Sequence, residues 1–270
     1  MSISTMERLQ AIVAGALPLA PVAATFGMSL ADVQRGRSVG RIQPLPVPVL
    51  QGAGPVLVLG DMALSVAIAS TLTEHQHITT LTMHLTGLSR PRPGSALEAV
   101  ARVEHSGADF AVATATVHDD DGATVALVSC RSAMFTARSD SGETRQPFRT
   151  VPDPLAAMGV ATATEGDATV ATMAALPALG NSGNAVQGGV LAALAAHAVD
   201  AAIAGERPQL AASGTDLEVT FLRGVPTDGA AVAARAELEH AGSRFASARA
   251  EVCGAGGKPA LLVTGARWRG

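Results

Sequence analysis

Asn181-Ser-Gly-Asn-Ala-Val-Gln-Gly-Gly-Val-Leu-Ala-Ala-Leu-Ala-Ala-His-Ala-Val-Asp200, running on to Ala204, decides the fold. It is a polar, glycine-bearing loop followed by about four turns of helix with apolar residues on nearly every side. Such a helix has to be buried on nearly every side. The loop sets Gln187, Gly188 and Gly189 at the helix start. There the backbone N–H groups lack partners within the helix, and a partial charge of about +0.5 favours an oxyanion or a polarised carbonyl. Glycine keeps side chains out of the way of a ligand approaching those amides.

The same layout occurs earlier. Gly52 to Ser70 superposes on Gln187 to Gly205 with an offset of 135 residues, half of the 270-residue chain. The offset carries Leu59 onto Leu194 and Ile68 onto Ile203. Further on it carries Glu104-His105-Ser106-Gly107 onto Glu239-His240-Ala241-Gly242, Phe110 onto Phe245, and Gly122 onto Gly257. A period this long, held through several elements, indicates duplication of a whole domain. Each half has an ordinary size for one core.

Hydrophobic residues make up 48% of the chain and the net charge is −4. No basic or acidic tail is present, which argues against a nucleic-acid partner. Tyr is absent and aromatics are 3% of residues, too few for a base-stacking platform. Cys130 and Cys253 do not align under the repeat and lack metal-ligand spacing, so they read as reduced thiols of a cytoplasmic protein with no metal. Residues 11–27, after Arg8, have some character of a secretory signal, but Glu7 and two prolines oppose it; a short N-terminal helix is expected instead. Neither central helix offers about 20 uninterrupted apolar residues, so no membrane span is expected.

In chain order, residues 4–15 read as a helix and 24–44 as two extended segments. Pro44, Pro46 and Pro48 keep the approach to the first central helix irregular. Four strands follow near 77–87, 95–105, 109–119 and 123–135, joined by turns at Ser106-Gly107 and Asp120-Asp121-Gly122. Residues 136–152 are polar and read as a linker between an N-terminal repeat over 1–135 and a C-terminal repeat over 153–270. The second repeat runs through extended segments within 160–176, a helix at 188–204, and strands near 213–222, 230–241, 244–253 and 259–269. Each repeat is thus an α+β unit, one long helix wrapped by an antiparallel meander.

A loop with Asn and Gly ahead of Gln-Gly-Gly, opening an apolar helix that precedes a meander with glycine turns, resembles the hotdog-fold acyl-CoA thioesterases. The phenylacetyl-CoA branch is the most similar, here as a tandem or double hotdog. The resemblance implies two sheets paired side by side and an active site that joins the loop of one unit to a helix carboxylate of the other. The second half keeps the loop residues Asn181, Gly183, Gln187, Gly188 and Gly189, but has Ala196 where the carboxylate is expected. The first half keeps the carboxylate, Asp61, with Ser65 one turn on. Its loop has Pro46, Gly52 and Ala53 at the places of Asn181, Gln187 and Gly188. One complete site is therefore expected, and a reciprocal site with neither a carboxylate nor a polar loop residue at the matching positions.

By this resemblance, Asp61 serves as general base or nucleophile towards an acyl-CoA or acyl-carrier-protein thioester. The Gly188 N–H holds the developing oxyanion, and Gln187, Asn181 and Ser65 position carbonyl or water. Gly189 and the arginines Arg90, Arg92 and Arg223 are expected at the substrate, the arginines at coenzyme A phosphates. No cofactor is implied beyond the coenzyme A of the substrate, and homo-oligomers of double-hotdog protomers are compatible with the outer helices. A hotdog hydratase carries Asp-x-x-x-x-His, whereas Val66 stands five residues after Asp61. A non-catalytic acyl-CoA-binding hotdog is the remaining alternative. His197 and Asp200 share a helix face near the reciprocal position and read as polar packing, and His105 and His240 as surface residues beside turns.

Overall fold

The computed structural model describes residues 4–43, 51–73, 75–92, 94–136, 159–210 and 214–269. Pro44, Pro46 and Pro48 lie outside the described residues, as does the expected linker except Thr136, which ends a strand. The chain begins with α1 (Thr5–Val13), whose cap Ser4 exchanges hydrogen bonds with Glu7, and α2 (Pro21–Thr25). The first repeat then runs β1 (Met28–Gln34), β2 (Arg37–Ile42), α3 (Gly54–Ala69), β3 (Gln76–Gly87), β4 (Leu97–Ser106), β5 (Phe110–Asp119) and β6 (Thr124–Thr136). The second runs β7 (Ala161–Glu165), β8 (Ala168–Ala174), α4 (Gly188–Glu206), β9 (Gly214–Phe221), β10 (Ala231–Ala241), β11 (Phe245–Cys253) and β12 (Pro259–Trp268).

All twelve strands form one antiparallel sheet in the order β1-β2-β4-β5-β6-β3-β9-β12-β11-β10-β8-β7. The order reads the same from either end once each strand is replaced by its repeat partner. At the centre β3 pairs with β9, from Thr82 opposite Thr220 to Gly87 opposite Thr215. Strand pairing at this seam satisfies what would otherwise be an open edge on each half.

Duplication shows in fine detail. The ladder β4–β5 shifts register between Val103 and His105, and β10–β11 between Leu238 and His240, so the bulges at Glu104 and Glu239 are 135 residues apart. His105 stacks on Phe110 and His240 packs on Phe245 beside the corresponding turns. Among the strands that follow the central helices, the offset slips at one place. Thr80 faces Ser132 as Thr215 faces Arg267, but Leu85 faces Val128 as Val219 faces Val263. A bulge at Leu81 takes up the extra residue. Beyond it, the structural counterpart of Phe221 is Gly87.

Both central helices lie on the concave face and touch each other. Thirteen residues of α3 and twelve of α4 are buried, including Leu57, Leu59, Ile68, Val190, Leu194 and Ile203. Alternating Ala and Val on the strands' inner faces leave room for them: Ala99, Ala101, Ala111, Ala113, Ala234, Ala236, Ala246 and Ala248 are fully buried. Small residues on the sheet let a thick helix sit close without voids. At 19 residues α4 is long and apolar enough to cross a bilayer, yet most of it is covered by the sheet and α3.

Candidate active site

Where α3 and α4 cross, Gly189 fits because it has no side chain. A Cβ there would lie 2.6 Å from the Leu57 carbonyl oxygen and 2.8 Å from Val58 Cα, both backbone atoms that cannot swing aside. This approach brings the first turn of α4 against the middle of α3, where Asp61 is the helix's only charged residue. The Gly189 N–H donates to Asp61 Oδ2 at 2.9 Å, a contact between residues 128 apart in sequence. A carboxylate at a helix N-terminus meets both an unsatisfied donor and the favourable end of the dipole. Burial nonetheless dominates: it pushes the Asp61 carboxyl up to about 6, with the Gly189 N–H opposing the shift.

Gln187 is buried beside it. Its Nε2 donates to the Val58 carbonyl at 3.2 Å, and its Oε1 is buried with no partner. An unsatisfied buried acceptor is costly unless something else, such as a reacting water, supplies a proton to it. The Gly188 N–H takes no acceptor among the described residues, and the ring of Phe221 lies over this glycine, 2.8 Å from where a Cβ would stand. Ser65, one turn beyond Asp61, is half-buried and makes no side-chain hydrogen bond among the described residues, so it does not back-bond to its own helix. Asp61, Gln187, Gly188 and Gly189 are thus brought together, with Ser65 on the same helix as Asp61.

Other expected residues sit elsewhere. Asn181 Oδ1 accepts from the Gly183 and Ala185 N–H groups at 2.8 and 3.2 Å, an Asx turn that shapes the loop, and no contact joins it to Asp61. Arg92 binds Asp120 and Asp121 at 2.5 and 2.7 Å, which commits its guanidinium to a turn of three aspartates. Arg223 follows Phe221 by two residues and is exposed, with no ion pair among the described residues. Arg90 lines a cavity at the start of α3 together with Asp200. Gly189 has its N–H occupied by Asp61, so it holds the carboxylate in place instead of meeting substrate.

At the reciprocal position Ala196 stands at the matching place of Asp61, and the nearby Asp200 takes a defined partner. Asp200, at the repeat place of Ser65, reaches the start of α3, with Oδ2 3.0 Å from where a Cβ of Gly52 would lie. Its Oδ1 is paired with Nη2 of Arg267, a fully buried arginine. Burial raises the Asp200 carboxyl despite Arg267, and lowers the Arg267 guanidinium despite Asp200. Burial thus outweighs attraction at both ends, as expected for a pair taken out of water. His197, which acts electrostatically on Asp200, lies within hydrogen-bond distance (3.0 Å) of the Thr162 hydroxyl on β7. Asp200 thus stands one helix turn beyond Ala196, and its ion pair with Arg267 is what the fold adds to the polar packing read from the sequence.

Residues 54–126, from the start of α3 into β6, match the family described as the thioesterase superfamily. No curated protein matches the sequence. Among solved structures, the acyl-CoA thioesterase II TesB2 of Mycobacterium marinum superposes with a TM-score of 0.58 at 12% identity, over 92% of this chain and 98% of that one. The tesB protein of Mycobacterium avium subsp. paratuberculosis gives 0.56 at 15%, over 99% and 100%. A protein described as an oleoyl thioesterase from Lactobacillus plantarum gives 0.57 at 12%, over 88% and 97%. The chain therefore has the double hotdog fold, and residues 54–126 of its N-terminal repeat match the thioesterase superfamily.

Proposed function

We propose that the protein hydrolyses acyl-CoA thioesters at the junction of α3 and α4, with Asp61 as general base. The observation that carries this is Asp61 itself, a buried carboxylate fixed through one oxygen by the Gly189 N–H, with its carboxyl raised to about 6. A base poised just below neutral pH is mostly ionised yet still able to take a proton. With Oδ2 held, Oδ1 remains to accept a proton from water. The hydroxide so formed adds to the thioester carbonyl carbon, and the carbonyl oxygen becomes an oxyanion. The Gly188 N–H, at the head of α4, donates to that oxygen; one such donor is typically worth about 10²–10³ in rate. Collapse of the tetrahedral adduct breaks the C–S bond, and the proton held by Asp61 passes to the departing thiolate. Gln187 Oε1 is the acceptor left to orient the attacking water.

The test compares wild type with Asp61→Asn on a panel of acyl-CoAs of differing chain length, following release of free thiol. Turnover that falls by about 10²-fold or more in the variant supports the base role, given the usual scale of general-base catalysis. Undiminished hydrolysis by Asp61→Asn would remove it.

A further inference from the structure

We infer that the mouth related to the Asp61 site by the internal two-fold is a second ligand pocket, one that binds a short apolar carboxylic acid without cleaving it. The inference rests on the thioesterase reading only for the identity of the natural ligand, since such an acid is what thioester hydrolysis releases. A cavity of about 170 Å³ lies at the start of α3, walled by Val56, Leu85, Val125 and Ala126, with Asp200 and Arg90 among its polar lining. A single buried water needs only about 10–15 Å³ of such volume, and a dry cavity of about 150 Å³ admits benzene. The space therefore suits a small organic group.

Its opening follows from the slip at Leu81. At the Asp61 mouth, Phe221 covers Gly188. Past the bulge the equivalent strand position is Gly87, which lines the cavity and puts no ring into it. Ala126 adds to the space where the other half has Leu261, the residues paired with Gly87 and Phe221 respectively. The Asp61 place is Ala196 and the Gln187 place is Gly52, so the parts proposed for hydrolysis are missing. Asp200 differs from Asp61 in its partner, since its Oδ1 is ion-paired with the Arg267 guanidinium where Asp61 has only the Gly189 N–H.

The ligand's charge follows from Arg90. It lines the cavity, acts electrostatically on Asp200 and Arg267, and has no ion-pair partner among the described residues. A chamber with aliphatic walls from Val56, Leu85, Val125 and Ala126 and a guanidinium in its polar lining suits an apolar tail ending in a carboxylate, which Arg receives in forked geometry.

Hexanoate is a suitable probe, with hexanol and free coenzyme A as comparison ligands, titrated calorimetrically against the whole chain. Hexanoate is expected to bind wild type and Asp61→Asn equally and to bind about tenfold more weakly to Arg90→Ala, as loss of one charge-assisted bond implies. Hexanol should follow the weaker behaviour. Ala126→Leu, which transplants the side chain of the other repeat, should abolish binding while hydrolysis persists. The pocket assignment is overturned if hexanoate fails to bind, if Asp61→Asn loses the binding while Ala126→Leu keeps it, or if coenzyme A binds in place of hexanoate. Should Ala126→Leu stop hydrolysis that Asp61→Asn leaves intact, the second mouth is the hydrolytic one. Loss of turnover in Asp61→Asn together with absent hexanoate binding would leave the proposed function standing and sink the pocket alone.

Discussion

Asp61 combines two consequences of one cause. Burial raises its carboxyl to about 6, so hydrolysis that needs the ionised form should rise with pH through about 6 and level off above it. A rate profile of kcat/KM between pH 4.5 and 8 checks this, and a flat profile would count against Asp61. The same burial costs stability. Between roughly pH 4 and 6 the folded chain retains a proton that the unfolded chain has released, so stability falls as pH rises across that window. The deficit above it is on the order of 3 kcal/mol, from about two pKa units. Asp61→Asn should therefore raise the Tm at pH 7.5 while abolishing turnover, and the gain should shrink towards pH 4.5. A lower Tm at pH 7.5 would mean that the Gly189 hydrogen bond outweighs the burial. The resemblance to the hotdog thioesterases pointed to Asp61, at the place of the helix carboxylate. It could not point to the Asp200–Arg267 pair, because the partners are 67 residues apart and only the folded sheet brings them together.

At the scale of elements, the approach of α3 and α4 sets everything near the site, and Gly189 permits it. Gly189→Ala places a methyl against the Leu57 carbonyl and the Val58 backbone and should destabilise the chain by about 1–3 kcal/mol, the usual cost of overpacking. Gly205→Ala in the same helix meets nothing within 4 Å and should be neutral or stabilising by about 0.5–1 kcal/mol. Chemical denaturation of both variants decides between a packing role and a general loss of helix strength. Phe221 marks the second device. Its ring covers Gly188, so Phe221→Ala should widen access and shift the acyl-CoA preference towards bulkier groups, read as a fall in KM for the larger substrates. Unchanged chain-length preference would show that the ring does not limit entry. Neither role was legible beforehand: a glycine among many and one aromatic in a strand acquire meaning only from the atoms opposite them.

On the scale of the whole molecule, the two halves divide the proposed machinery. The first carries Asp61 without the Gln-Gly-Gly loop, and the second carries the loop with Ala196 in the carboxylate's place. Chains cut within residues 137–158 should be inactive separately, even as homodimers, and should recover hydrolysis when co-expressed, through β3–β9 pairing and the α3–α4 contact. Activity in either half alone would break the composite-site reading. The sequence by itself determined the duplication, the two wrapped helices and nearly every strand, because apolar periodicity and glycine turns are local features that repeat at a fixed spacing. It also singled out Asp61 and the loop before α4. Only the tertiary structure decided which N–H holds Asp61, that Asn181 serves its own loop, that Arg92 is tied to three aspartates, and that the reciprocal mouth is open and charged. Those outcomes depend on a single-residue bulge and on side chains meeting across the two-fold, and contact between residues far apart in the chain leaves no mark on its local pattern.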